Sequence, residues 1–334
     1  KVKDIRKKIF FTFMMLVVIR IGSQLPVPGV DRGYFARWFA QQTGDAFNFF
    51  DAFTGGSFLN MSILALNITP YITSSIIMQL LTIAIPKLEE MQRDGEDGRK
   101  KIASITRYVT IALALIESGA MAIGFGRQGL LEQFNALNVI AVIAALTAGS
   151  AFLMWIGEQI SDKGVGNGIS MIIFTGIVTR VPSMIQQFIV AIQSGTVSWL
   201  VGVIVVIAVL AVFALVVLMN DAERRIPVQY AKRVVGRKMY GGQSTHIPFK
   251  VAMAGVIPII FASSLIAFPS TIAQLFGGAT EGSWVAKFLN FIGPSSWFYA
   301  VLYFILIIFF TFFYTAMMYN PIEMSNNIKA NGGF

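Results

Sequence analysis

The chain is 334 residues long, 55% hydrophobic and only 13% charged, with a formal net charge of +9. Average soluble domains carry roughly 25% charged residues, so this composition excludes a water-soluble fold built around one buried core. The absence of Cys removes disulfide frameworks, thiolate nucleophiles and Cys-based metal sites, and a single His, His246, excludes a histidine-cluster metal centre; no cofactor is expected.

Eight apolar stretches are long enough to cross roughly 30 Å of hydrocarbon. They lie at about 9–25, 68–85, 108–125, 136–157, 169–192, 197–219, 251–276 and 297–319. The first follows Lys1, Lys3, Arg6, Lys7 and Lys8, as a signal peptide would, but no A-x-A-like site comes after it, so it reads as an uncleaved helix. Arg20, near its outer end, is expected to snorkel towards water. Between the first two spans, residues 53–66 read FTGGSFLNMSILAL, apolar but only 14 residues long and interrupted by Gly55, Gly56, Ser57 and Asn60. Such a segment is re-entrant or interfacial, and it survives at membrane depth only where protein or a water-filled cavity surrounds it.

In the second span, Asn67 and Gln79 read as polar glue between helices, and Pro70 there and Pro258 in the seventh span are expected to interrupt backbone hydrogen bonds. Glu117 is the one acid in mid-span, read as packed or hydrogen-bonded. GVGNGIS, Gly164 to Ser170, has the glycines of a phosphate loop, but it follows a helix and lacks the P-loop lysine, so it reads as a tight turn with glycines at positive φ. The loop 220–250 is longer than a connection requires and interleaves Arg224, Arg225, Lys232, Arg233, Arg237 and Lys238 with Tyr230 and Tyr240. It suits docking to a polyanionic partner, such as ribosomal RNA or an acidic protein face.

Counted over alternate connections, twenty of the 26 Lys and Arg fall on one side, the side that holds both termini, and five on the other. The positive-inside rule then places both termini in the cytoplasm. No nucleophile, acid and base converge in the spans, which speaks against an enzyme. A secondary transporter for a small solute is the alternative reading, and Glu117 alone speaks for it.

An ordered series of motifs carries a resemblance. It runs PVPGVD at Pro26 to Asp31, FTGGS at Phe53 to Ser57, NITPYITSSIIMQLL at Asn67 to Leu81 and GEDGRKKI at Gly95 to Ile102. It continues with FLMWIGEQISDKGVGNGIS at Phe152 to Ser170, RRIPVQYAKR at Arg224 to Arg233, STHIPFKVAMAGVIPIIFASS at Ser244 to Ser264 and FFYTAMMYNPIE at Phe312 to Glu323. In this order and spacing the chain resembles the SecY family, the pore-forming subunits of the bacterial Sec protein-conducting channel.

The resemblance implies ten spanning helices in two pseudo-symmetric halves. For this chain it implies an all-α, polytopic bundle of eight spans plus a re-entrant plug, with the family's ninth and tenth helices absent. Residues 1–192 would form one half, with the plug at 53–66, and residues 193–334 an incomplete second half. Phe53, Gly55, Gly56, Ser57 and Asn60 would belong to the plug, and Ile68, Ile72, Ile173 and Ile260 to a constriction ring. Thr73 and Phe268 would face each other across a lateral gate formed by the second and third spans against the seventh and eighth. The 220–250 loop would dock the ribosome or a SecA motor. Further implied partners are SecE-type and SecG-type small membrane subunits, signal peptides, nascent or secretory chains and membrane lipids. The expected activity is the passage of unfolded secretory polypeptides across the bacterial cytoplasmic membrane, with lateral release of hydrophobic segments into lipid.

Overall fold

The computed structural model describes residues 2–31, 33–35, 54–127, 129, 131, 133–229, 233–235, 238–240, 244–252, 254–263, 265–266, 291, 296–318, 325–326 and 328–329. Its helices are α1 Val2–Gly22, α2 Thr69–Ala84, α3 Pro86–Arg93, α4 Glu96–Arg127, α5 Ala136–Lys163, α6 Gly168–Gln193, α7 Trp199–Asp221 and α8 Trp297–Met318. Five of them, α4 to α8, are long and apolar enough to cross a membrane, and the bent pair α2–α3 would make a sixth. The expectation of eight spans is therefore met in part among the described residues. α1, which carries Asp4, Arg6, Lys7, Lys8 and Arg20, is not among the five. The stretch expected at 251–276 is helical at 257–263 and 265–266, and its remainder lies outside the described residues.

Local sequence explains where the helices start and stop. α2 opens with Thr69 and Pro70, a position where the missing N–H of proline would have had no helical partner. Pro70 thus begins a helix instead of kinking one, whereas Pro182 lies inside α6. α2 stops at Ile85, extended at ψ 109°, because a residue before proline is pushed out of the α region by Pro86. The chain there turns by 107° into the short α3. At the turn before α6, Gly166 adopts φ 75° and Asn167 Oδ1 accepts the backbone N–H groups of Ile169 (3.0 Å) and Ser170 (3.2 Å), an N-cap for α6. GVGNGIS is thus a capping turn.

The all-α expectation needs one correction, because four short β-strands occur between Glu223 and Lys250. These are β1 Glu223–Gln229, β2 Arg233–Val235, β3 Lys238–Tyr240 and β4 Ser244–Lys250. β1 pairs antiparallel with β4, from Glu223 opposite Lys250 to Gln229 opposite Ser244, and β2 pairs with β3 inside them. Ile226 and Val228 on one strand, and Ile247 and Phe249 on the other, alternate with polar residues or proline, which is the period-two pattern of a half-buried strand.

The chain divides into two compact units, Lys1–Gln186 with Ser264–Ala300, and Gln187–Ser263 with Val301–Phe334. In the first, α4 packs along both α2 and α5. Polar contacts join these helices at three levels. Ser74 Oγ donates to the Thr106 carbonyl (2.8 Å), the Ser118 and Thr147 hydroxyls meet at 3.0 Å, and Arg107 Nε donates to Glu158 Oε1 at 2.7 Å. One apolar cluster centres on Phe35, Phe58 and Phe125, where Phe35 stands edge-on to Phe125 at 5.3 Å between centroids. A second gathers Ile19, Leu64, Ile68, Leu153, Ile156, Ile160 and Ile172. In the second unit, Phe261 sits edge-on to Phe310 and Tyr314. Only 6% of the α7 window is buried, against 39% for α4 and for α5, so nearly the whole circumference of α7 is apolar surface for lipid or a neighbouring subunit.

Candidate functional site

Between α1 and α2, residues 23–27 and 54–67 pack together within the first unit. After α1 ends, Leu25 to Val27 return alongside residues 61–63: the Val27 N–H bonds the Met61 carbonyl at 3.0 Å and the Ile63 N–H bonds the Leu25 carbonyl at 2.9 Å. Residues 55–61 and 63–67 are turns on either side of a bridge from Ser62 to Pro26, and they satisfy much of their own backbone. The Ser62 N–H and Oγ–H both donate to the Ser57 carbonyl, at 3.0 and 3.1 Å, and the Phe58 N–H donates to Thr54 Oγ1. Thr54, Ser57, Phe58, Met61, Ser62, Leu64, Ala65 and Leu66 are buried. Such burial is the condition under which irregular backbone can persist at membrane depth. Met61 and Asn67 hold positive φ values of 42° and 52°, strain on the order of 1 kcal/mol or more each that the surrounding structure must over-determine. Part of that support at Asn67 is the Ser150 hydroxyl, which donates to its carbonyl at 3.2 Å.

Of the residues expected in the plug, Gly55 and Ser57 are buried, Gly56 is half-buried, Asn60 is exposed, and Phe53 lies outside the described residues. Arg20 differs from expectation. Its Nη1 does not turn to water but donates to the Gly55 carbonyl at 2.9 Å, which ties the end of α1 to this segment.

Three of the four expected ring residues come together. Ile68, immediately before α2, is 1% exposed within the second apolar cluster, and Ile72 and Ile173 are half-buried at its edge. The Ile72 N–H bonds the Ile68 carbonyl at 3.1 Å, so the two are one helical turn apart as their spacing implied. Ile260 is half-buried in the other unit. Thr73 is half-buried on α2, its hydroxyl donating to the Thr69 carbonyl at 3.1 Å, and its expected gate partner, Phe268, lies outside the described residues.

Among the docking residues, Arg224 and Arg225 are exposed on β1, Arg233 opens β2 and Lys238 opens β3, while Lys232 and Arg237 lie outside the described residues. Glu117 is half-buried in α4, and Gln79 Oε1 is buried with no hydrogen-bond partner among the described residues. No group of three or more His, Asp and Glu able to hold a metal occurs among the described residues.

Set beside known proteins, the chain matches the SecY family model over residues 62–334. It is 45% identical over 335 aligned residues to the protein translocase subunit SecY of Escherichia coli strain K12, an alignment covering 99% of this chain and 76% of that one. Among solved structures, a SecY whose plug domain is described as stabilising the closed state of the translocation channel and maintaining a membrane seal aligns with a TM-score of 0.67 at 20% identity. That alignment covers 98% of this chain and 77% of the other. Sec61 in the canine ribosome-channel complex from the endoplasmic reticulum aligns with a TM-score of 0.55 at 21% identity, over 81% of this chain and 59% of that one. The structural likenesses show the shared fold, and the close sequence kinship along nearly the whole length shows that the chain belongs to the SecY family.

Proposed function

We propose that this chain is the channel-forming subunit of a protein translocase, passing unfolded secretory polypeptides across the bacterial cytoplasmic membrane. The observation that carries this reading is the 45% identity, along 99% of the chain, to a protein translocase subunit. The channel has two halves, 1–192 and 193–334, and both termini face the cytoplasm, as the twenty-to-five division of Lys and Arg supports. Residues 53–66 plug it, Ile68, Ile72, Ile173 and Ile260 narrow it, and a seam between Thr73 and Phe268 opens to lipid for hydrophobic segments. The ribbon 223–250 receives a ribosome or a SecA-type motor, and small SecE-type and SecG-type subunits complete the complex. Energy comes from these partners. Kinship with translocase subunits sets aside the secondary transporter.

Reconstitution tests the proposal. The translocase assembled with this subunit in proteoliposomes should carry a secretory preprotein into a protease-protected lumen, and only when the motor and its nucleotide are supplied. Uptake of small solutes with no protected preprotein would count against it.

A further inference from the structure

We propose that Arg20 is a latch that holds residues 54–60 in their closed seat, and that a close crossing of Gly55 over Gly176 fixes the seat. The inference rests on reading this segment as the plug of a channel, and it names the positioning residue on which the plug depends. Arg20 stands in the last turn of α1, where the partial negative charge of a helix C-terminus favours a cation. Its Nη1 donates the 2.9 Å bond to the carbonyl of Gly55, 35 residues along the chain. Ser23 orients the same side chain: Arg20 Nη1 lies 3.4 Å from Ser23 Oγ, and that hydroxyl donates to the Arg20 carbonyl at 2.7 Å.

The receiving side is equally constrained. Gly55 is buried at φ 63°, where an L side chain is strained, and a Cβ there would stand 2.9 Å from both Cα and O of Gly176 on α6. Backbone atoms cannot swing aside as a side chain would. The neighbouring cavity, bordered by Arg20, Ser23, Thr54, Ser57, Asn67 and Thr179, has a volume of about 20 Å³, room for about one water. Little water fits beside the Arg20–Gly55 bond while the segment is seated, and a charge-assisted hydrogen bond is among the stronger kinds.

The bond is also one that can be exchanged. Ser23 Oγ, 3.4 Å from Nη1, belongs to the end of α1 and stays beside Arg20 as an acceptor when Gly55 departs. Residues 61–63 behave differently, because backbone pairing with Leu25 to Val27 ties them to the end of α1. The movable part thus ends at Asn60, next to the strained backbone of Met61.

The Cys-free sequence allows a direct test in the assembled translocase. Ser57→Cys, buried at 4% exposure, reports unseating by its rate of labelling with a membrane-impermeant maleimide added from the outer side. Labelling should be slow with Arg20 present and on the order of tenfold faster with Arg20→Gln, which removes a charged hydrogen bond. Arg20→Lys keeps a cationic donor and should fall between them. Gly55→Ala, which keeps Arg20 but blocks the crossing, should label as fast as Arg20→Gln. Subunit assembly and thermal unfolding are followed in parallel. Unchanged labelling in both variants, or faster labelling that merely tracks lost assembly, overturns the latch. Resting ion conductance after deletion of residues 54–60 is a separate arm: no leak there would overturn the plug reading, while the labelling rates still decide the latch.

Discussion

An aperture wide enough for a polypeptide must stay dry at rest, and isoleucine suits that need at the level of a single side chain: it is apolar, so a narrow ring dewets, and β-branched, so its rotamer is stiff. The four isoleucines are not equivalent. Ile68 is 1% exposed inside the cluster with Ile156 and Ile172, so Ile68→Ser should reduce stability by roughly 2–5 kcal/mol, as large-to-small changes in packed cores do, in addition to any leak. Ile72 and Ile173 are freer, at the edge of that cluster. Ile72→Ser combined with Ile260→Ser is therefore the cleaner experiment: single-channel recording should find raised resting conductance with assembly intact, whereas Ile204→Ser and Ile207→Ser, exposed on α7, should leave the baseline silent. Silent baselines in both sets would remove the ring assignment. A contrasting expectation concerns Arg107 and Glu158, a 2.7 Å pair whose side chains are 47% and 27% exposed. Half in solvent, it should contribute no more than about 1 kcal/mol, so a double-mutant cycle with Gln at each position should give a coupling below that value. Sequence spacing made the one-turn relation of Ile68 and Ile72 legible. It could not reveal that Ile68 packs against α5 and α6, or that Arg20 meets Gly55, because both contacts close long loops with no local signature.

At the scale of the element, proline, glycine and asparagine spoke clearly and charge spoke incompletely. Pro86 ends α2, and Asn167 caps α6 beside Gly166, as turn chemistry dictates. The β-ribbon of 223–250 was also present in the sequence, as alternation around Ile226 and Val228, but a loop dense in Arg and Lys between apolar helices draws the reading towards charge alone. The ribbon adds something to the docking proposal that a flexible loop could not. Paired strands hold Arg224 and Arg225 at fixed spacing on β1, so a partner meets a preorganised basic edge and little entropy is lost on binding. Reversing both, Arg224→Glu with Arg225→Glu, should weaken ribosome or motor binding about tenfold at low ionic strength, and the difference from the unmodified chain should shrink as salt rises. Cosedimentation across a salt series measures it. Membrane insertion should survive, since the remaining basic residues still set orientation. Equal affinity at every salt concentration would reduce this basic edge to a topogenic role.

Over the whole molecule, the sequence is most informative about what crosses the membrane and least about what touches what. Spans and charge asymmetry are sums over neighbouring residues, so they survive without knowledge of packing. Helix partners are another matter, because in lipid an apolar face no longer distinguishes the inside of a bundle from its outside. α7 illustrates the limit: apolar on every side and 6% buried, it carries no directional signal, whereas α4 and α5 betray their contact through Ser118 and Thr147. The proposed lateral gate would sit at this blind spot, for its two sides must separate into lipid without exposing polar groups. Thr73 fits such a seam. Its hydroxyl is satisfied within α2 by the Thr69 carbonyl, so parting the seam would leave no unpaired donor in hydrocarbon. If Phe268 faces it, Thr73→Cys with Phe268→Cys in this Cys-free chain should form a disulfide or accept a short bifunctional cross-linker in the resting channel, which requires Cα atoms within about 7 Å for the direct bond. Preprotein transport should then stop and resume on reduction, while each single Cys variant transports normally. Full transport through the locked pair, or failure to cross-link in either the resting or the substrate-engaged state, would place the exit to lipid elsewhere.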